Sequence, residues 1–526
     1  MNGKNLIEKH VKKNWFIKTF KNYYYLNKNS VSIEFKDNKK IIFNINEINL
    51  VNFEIRDIKI KIIEYFLKFL NLNESFKNHL INFLFLKDAE IHRKACLIKF
   101  LLDHKYKVKK IQSSFLSKDD QLLLKEFDIN VEKVFSKRIK ILPIMMFYAI
   151  YRRKLRYTKV IKLFPAKKSS YKTEIKYSRI LRCWVDLAEN IYLNRLKQSL
   201  ENTIIHINPG YLGFFPSKRQ EKYLEHLKIN NRNYFFYIPK INYYKLIKIA
   251  IRNYFSLIPK KLKIPFLHVI IARLEIDDYI EYLTKEFPDV KEFYTKEEFL
   301  PSTTYLTELL KKRNIKVINF AHGLGVYCPI VNYDEFYVFS KVQKDYYISS
   351  STNFRYFETE ISPIRQKKDI TQDFAIVFIA QSILSSINSI TIKAAYKKTV
   401  EFIESLVRDL NIPIFVKYHP NSKEVDKIFS DKIKIIEKIS DLPSNYNFLS
   451  ITLYSTYVFE LLNRMPFLII NPKNKVNLKY YFPDENNIFA NSYKDLKDKL
   501  KRFLTEPNYY YEYSDYLFLL MKEISE

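Results

Sequence analysis

Glycine is scarce in this sequence of 526 residues: only Gly3, Gly210, Gly213, Gly323 and Gly325 occur. No G-x-G-x-x-G and no G-x-x-x-x-G-K-[S/T] can be written with them. That excludes the glycine-rich dinucleotide fingerprint and the P-loop. Cysteine is nearly as rare. Cys96, Cys183 and Cys328 are far apart, odd in number and in no metal-ligand spacing. This argues against a disulfide framework or a zinc site and for a reducing compartment. Long apolar runs are missing too. Ile141–Tyr151 (ILPIMMFYAIY) is about eleven residues, too short to span a bilayer, and reads as a buried or interfacial helix. The opening MNGKNLIEKHVKKNWF has no apolar core of signal-peptide length. The expectation is a cytoplasmic protein, peripheral on the inner face of the cytoplasmic membrane if it meets a membrane at all.

Acid is absent over two long stretches. Neither Lys133–Thr173, with its Arg152-Arg153-Lys154 cluster, nor His226–Leu274 holds an Asp or Glu. The second interleaves Tyr and Phe with its cations, a mixture that suits a membrane interface. A solvated basic face is the plainer reading. With 89 Lys and Arg against 57 Asp and Glu, the formal charge is +32. A phosphorylated substrate, an anionic membrane surface or nucleic acid could answer that charge. No recognisable nucleic-acid module is present, so nucleic acid is not expected. Apolar residues make up 47% of the chain, which places it among globular proteins, and 526 residues are long enough for two or three domains.

Residues 1–180 carry no readable motif, although Ile41–Phe53 alternates like a hairpin strand and Ile58–Leu70 and Ile91–Leu102 have helical periodicity. From 181 to 365 the pattern becomes α/β. Strands are expected at Thr203–Asn208, Tyr234–Ile238, Phe293–Thr295, Lys316–Phe320 and Phe336–Phe339, with helices at Ile264–Tyr282 and Thr303–Lys312. From 366 to 526 the alternation continues. Phe374–Ala380, Ile412–Val416, Asn447–Thr452 and Phe467–Ile470 read as strands. Thr391–Leu410, Asn491–Leu504 and Tyr509–Ile524 read as helices, the last packing back on the first half. Strands alternating with helices build parallel sheets, whose ligands sit beyond the carboxyl ends of the strands. The expectation is an α/β protein of two Rossmann-like domains facing a cleft, behind an N-terminal extension.

The strand-end residues are the candidate site. Lys417, His419, Ser455 and Thr456 would collect at one sheet edge, with Gln381 at the end of Phe374–Ala380. Pro420 holds His419 extended. Ser455 and Thr456 open a helical pattern that stops before Pro466, and hydroxyls with backbone N–H groups at a helix start suit a phosphate. Glu460 follows in that helix, placed to accept hydrogen bonds from a ribose. In the first half, His322-Gly323-Leu324-Gly325 forms a loop where glycines permit close backbone approach. There His322 would contact substrate or orient a carboxylate. Glu297 and Glu298, after the Glu-Phe-Tyr-Thr strand, and Asp277 and Asp278, on a helix, are candidates for a general base.

These segments resemble GT-B glycosyltransferases of bacterial surface-carbohydrate synthesis, in particular the sialyltransferase, Kdo and pseudaminic-acid (nonulosonate) transferase group. Lys417–Pro420 resembles that group's HP motif. Asp441-Leu442-Pro443, Ser455-Thr456 and Glu460 resemble its Ser/Thr motif, Asn319–Gly323 its HG segment, and Tyr294–Glu298 its Tyr-Thr-x-Glu segment. The likeness covers about residues 265–505. It implies an inverting transferase that takes a nonulosonic acid from a CMP-sugar to a glycan or lipid-linked glycan acceptor, with no essential metal or resident cofactor. It further implies that His419, Ser455 and Thr456, with Lys417 nearby, hold the CMP phosphate. Sialyltransferases of the group often place the base in an acidic dipeptide before Gly. No Gly here follows an acid, and Glu297, then Glu298, is favoured as the base. A CDP-glycerol-type glycerophosphotransferase is the alternative enzyme, and a basic membrane- or nucleic-acid-binding scaffold the alternative of another class.

Overall fold

The structure is a computed structural model that describes residues 30–45, 52–104, 108–136, 175–183, 189–207, 218–259, 262–321, 325–357, 373–380, 389–418, 429–471 and 487–525, apart from scattered positions inside these ranges. The chain divides into two compact units. Met1–Asn71 with Lys87–Ile141 forms one, and Leu72–Leu86 with Leu142–Glu526 forms the other.

The first unit holds strands β1 (Ser30–Phe35), β2 (Lys40–Asn44), β3 (Val108–Ser113) and β4 (Val131–Ser136) in the order β2-β1-β3-β4. β1 is antiparallel to β2 and β3, while β3 and β4 are parallel. Helix α1 (Asn52–Leu67) packs beside α3 (Ala89–His104); α2 (Glu74–Lys87), between them in the chain, belongs with the second unit. The short helix α4 (Asp120–Lys125) begins with Asp120, whose buried carboxylate accepts from Lys94 at 2.8 Å. The alternation at Ile41–Phe53 misleads. Pairing with β1 ends at Asn44, and by Asn52 the chain is helical.

The second unit contains two parallel sheets. The first consists of β5 (Arg179–Cys183), β6 (Thr203–Ile207), β7 (Tyr234–Phe236), β8 (Glu292–Thr295), β9 (Lys316–Phe320), β10 (Glu335–Val338) and β11 (Asn353–Tyr356), in the order β11-β10-β9-β8-β5-β6-β7. The second consists of β12 (Asp373–Ile379), β13 (Ile414–Lys417), β14 (Lys434–Ile436), β15 (Tyr446–Thr452), β16 (Phe467–Ile470) and β17 (Phe489–Ala490), in the order β14-β13-β12-β15-β16-β17. In both, the first three strands step out one way. The chain then returns to lay the fourth beside the first, and the rest step out the other way. This is the doubly wound order of a Rossmann fold, and the expected α/β class is what the chain adopts. β6 and β16 are buried along their whole length, and β12 and β15 over their last five residues. Burial on both faces explains why such strands read as unbroken apolar runs.

The helices connecting the first sheet are α5 (Lys218–Ile229), α6 (Tyr243–Phe255), α7 (Lys263–Glu286), α8 (Thr303–Lys311) and α9 (Lys341–Tyr346). Those of the second are α10 (Ser389–Leu410), α11 (Tyr457–Glu460), α12 (Tyr493–Thr505) and α13 (Tyr509–Ser525). With glycine so rare, asparagine takes the left-handed position after some of the helices. Asn231 after α5 and Asn314 after α8 have φ of 49° and 57°. The amide that follows each reaches back to a helix carbonyl, Arg232 to Leu227 at 2.8 Å and Ile315 to Leu310 at 3.1 Å. Asparagine tolerates this left-handed turn better than other residues with a side chain. α13 docks through its tyrosines. Tyr510 donates to the Phe448 carbonyl at 3.0 Å and Tyr513 to that of Phe467 at 2.9 Å. α13 also touches α9, so it reaches the first half as the sequence suggested. Among the described residues no helix is long and apolar enough to cross a membrane.

Candidate functional site

In each sheet, strand order reverses between two neighbours, β5 and β8 in the first and β12 and β15 in the second. Loops leave those neighbours in opposite directions, which opens a crevice at their carboxyl ends.

At the first reversal, Arg182 near the end of β5 faces Glu297, just past β8. Its Nε lies 3.0 Å from both carboxylate oxygens. Glu297 is buried, and the Arg182 side chain nearly so. A carboxylate withdrawn from water needs such a partner to remain charged. Asn319, fully buried on β9, ties down the same turn. Its Oδ1 accepts from the Glu297 amide at 3.1 Å and its Nδ2 donates to Glu298 at 3.4 Å. Glu298 is wholly inside the protein. Beyond Arg182 the polar contacts continue. Its guanidinium lies 5.3 Å from the centre of the Tyr279 ring, and the Tyr279 hydroxyl shares a 2.7 Å hydrogen bond with Nδ1 of His206 on β6. The His206 ring stacks on Phe235 at 4.6 Å. Burial, with the Arg182 charge adding to it, holds His206 well below the ordinary imidazole range, so it is neutral. Burial likewise pushes the Tyr279 hydroxyl up. Asp277 and Asp278 lie on α7 and serve tyrosines of neighbouring elements. Asp277 accepts from Tyr305 at 2.6 Å and Asp278 from Tyr237. That contact, secondary to burial, helps push the Tyr305 hydroxyl up to about 12.

At the second reversal, Thr452 ends β15, and its hydroxyl donates to the Ile379 carbonyl of β12 at 3.2 Å and accepts from the Ser455 amide at 3.0 Å. Ser455 is buried, and its Oγ accepts from the Tyr457 amide at 3.3 Å. Lys417 ends β13 and reaches over the same edge, its Nζ 5.3 Å from the centre of the Tyr457 ring. Lys417 therefore reaches the Tyr457 side of the turn that Ser455 opens. The helix expected to run from Ser455 toward Pro466 is a single turn, Tyr457–Glu460, because the chain turns back through Leu461–Met465 to enter β16. One turn has almost no macrodipole. A phosphate here would depend on hydroxyls, amides and Lys417. Glu460 closes that turn instead of standing well inside a helix. Gln381, His322, His419 and Thr456 lie outside the described residues.

Reading the sequence singled out the acids and hydroxyls but missed their holders, Arg182, Asn319, His206, Tyr279, Thr452 and Tyr457. For His206 and Thr452 there was a signal, a polar residue inside or ending a β-branched run. Nothing local marks Arg182. A pocket of about 800 Å³ lies along α10 against Tyr493, and its lining includes neither Lys417 nor Ser455.

No protein-family model and no curated protein sequence matches the chain. Solved structures that it is similar to include the UDP-GlcNAc 2-epimerase of Methanocaldococcus jannaschii in complex with UDP-GlcNAc and UDP. Identity there is 12%, coverage 54% of this chain and 88% of that one, and the TM-score 0.31. The spinosyn forosaminyltransferase SpnP is 10% identical over 66% of this chain and 95% of its own, with a TM-score of 0.38. The wall teichoic acid polymerase TagF is 9% identical over 74% and 94%, with a TM-score of 0.33. Likenesses this remote assign no chemistry to this chain.

Proposed function

We propose that the protein is an inverting GT-B glycosyltransferase that moves a nonulosonic acid from a CMP-sugar to a bacterial surface glycan, such as lipopolysaccharide, capsule or O-antigen. The observation that carries this reading is the pairing of two doubly wound sheets, each with charged or hydroxyl groups at its strand-order reversal: Arg182 with Glu297 on one, Lys417 with Ser455 and Thr452 on the other. A tandem of this kind suits a donor on one lobe and an acceptor on the other. The motifs around His419 and Ser455-Thr456 select the CMP donor.

In this reaction Glu297 accepts the proton of the acceptor hydroxyl. The acceptor oxygen forms its bond to the anomeric carbon as the bond from that carbon to the phosphate oxygen breaks. CMP leaves with the electron pair, and Lys417, His419, Ser455 and Thr456 meet the charge that develops on its phosphate. Glu460 and Gln381 contact the nucleoside, His322 the sugar or the base. Arg182 is a positioning residue that holds Glu297 in place. Glu298, Asp277 and Asp278 remain the other candidates for the base, each already hydrogen-bonded within the fold.

The test is to incubate the protein with CMP-sialic acid, CMP-pseudaminic acid and CDP-glycerol, alongside a thermal-shift series with CMP, CDP, UDP and GDP. A ligand that binds only the folded state raises its stability by about 2.7 kcal/mol at a hundred times Kd. Consumption of a CMP-sugar and a shift with CMP are expected. His419→Ala should abolish transfer and leave the fold intact. Turnover of CDP-glycerol alone would replace this reading with the glycerophosphotransferase one, and no response to any nucleotide would end both.

A further inference from the structure

Among the described residues, helix α6 packs by one face. Leu246 and Ala250 bury against Leu267 and Ile271 of α7, and Asn253 reaches the Lys263 carbonyl at the same junction. At about 100° per residue, these positions share one side of the helix. The side adjoining it is apolar as well. Tyr244, Ile247, Ile251, Tyr254 and Phe255 fall within an arc of about 100°. With Leu257 just past the helix, they are between 38% and 103% exposed. Along one border of this arc lie Lys245, Lys248 and Arg252, all exposed. The helix thus presents a packed face, an exposed apolar arc beside it and a basic border on the far side of that arc. A soluble surface seldom carries so many large apolar side chains together unless something covers them.

We propose that α6 is a docking helix for an anionic lipid bilayer, lying in the interface with its apolar arc toward the acyl chains and its three cations among the headgroup phosphates. An apolar face bordered by Lys and Arg is the pattern of a helix that lies in a membrane surface. The charge selects the occupant. No acid occurs anywhere from His226 to Leu274, so a second copy of this segment would set like charges against each other, whereas anionic headgroups attract them. The inference does not depend on the transfer chemistry, because no residue of the candidate site belongs to the helix.

The full chain is sedimented with vesicles of phosphatidylcholine alone and of equimolar phosphatidylcholine and phosphatidylglycerol. Binding to the anionic vesicles is expected, weakening as salt is raised. Neutralising the border with K245Q, K248Q and R252Q together should lower partitioning about a hundredfold, given the attraction of each cation near an anionic surface. I247D with I251D should lower it about tenfold or more by removing buried apolar side chains. All five positions are exposed, so circular dichroism and melting temperature should be unchanged in both variants. Nucleotide thermal shifts should also stay as in the parent. Equal binding to neutral vesicles, or variants that bind like the parent, would overturn the proposal. So would light scattering that shows a parent dimer made monomeric by I247D with I251D, since the apolar arc would then be a self-interface.

Discussion

Arg182→Ala is the sharpest test of the first reversal point. It leaves Glu297, only 2% exposed, without the cation that sits 3.0 Å from both of its oxygens. Two unit charges about 4 Å apart attract by about 4 kcal/mol at the effective dielectric of a protein near its surface. Breaking a buried pair by removing one member costs about 3–5 kcal/mol, because the other charge stays buried. The 12% exposure of the Arg182 side chain lets some water reach the vacated site, so the lower end, about 3 kcal/mol, is the expected loss. In calorimetry that should appear as a fall of roughly 4 °C in the transition of the second unit. Adding Glu297→Gln removes the stranded charge and should recover about 2 kcal/mol of the loss. The double change is the discriminating one, because it deletes still more of the native contacts and yet should be the more stable. If Arg182→Ala moves the transition by no more than a degree or two, or if Glu297→Gln recovers nothing in its background, the carboxylate is not held as a buried anion. Its role as a fixed base would then have no physical footing.

Glu297→Gln alone should leave CMP binding by thermal shift intact and stop turnover; if Glu298→Gln or Asp277→Asn does so instead, the base is misassigned. Thr452→Val, nearly isosteric, strips a donor from the Ile379 carbonyl and an acceptor from the Ser455 amide. It should cost about 1–3 kcal/mol and shrink the CMP-induced shift; an unchanged melting temperature would show the bridge to be idle. Tyr513→Phe should destabilise the second sheet by about 1–2 kcal/mol, since the Phe467 carbonyl loses its buried donor, and denaturant melts of that half would register it. His206 is neutral when folded, because burial holds its folded value well below the unfolded one. Its contribution is therefore whole above about pH 6.5. It falls by about 1.4 kcal/mol per pH unit below that, as the unfolded chain takes up a proton that the folded chain refuses. His206→Phe should flatten that slope in the second unit's transition. His92, held down to about 3 chiefly by burial, supplies a similar slope in the first unit, so the two transitions must be followed separately.

How far the sequence could carry this reading varied with how local the signal was. β9 and β16 were legible to the residue, because a strand covered on both faces is an apolar run whose polar flanks mark its ends. The unmatched elements are those whose burial is decided elsewhere. β5 reads Arg-Ile-Leu-Arg-Cys, and its arginines disguise a central strand. Arg179 and Arg182 are tolerated there because Glu292 and Glu297, over a hundred residues away, receive them at 3.1 and 3.0 Å. The same distance in sequence explains the acids. Glu297-Glu298 reads as a solvated pair until β5 and β9 bring Arg182 and Asn319 against it. α6 escaped for a different reason. Its apolar positions are mostly Tyr and Ile, middling helix formers, so the run reads as a basic aromatic stretch although the folded helix is amphipathic. In each case the sequence holds the half of the interaction that is carried locally, and the other half is supplied by topology. The strand-order reversals can be located once the α/β alternation is recognised. The ion pair that gives the first of them its chemistry becomes visible only when the fourth strand of that sheet has been laid beside the first.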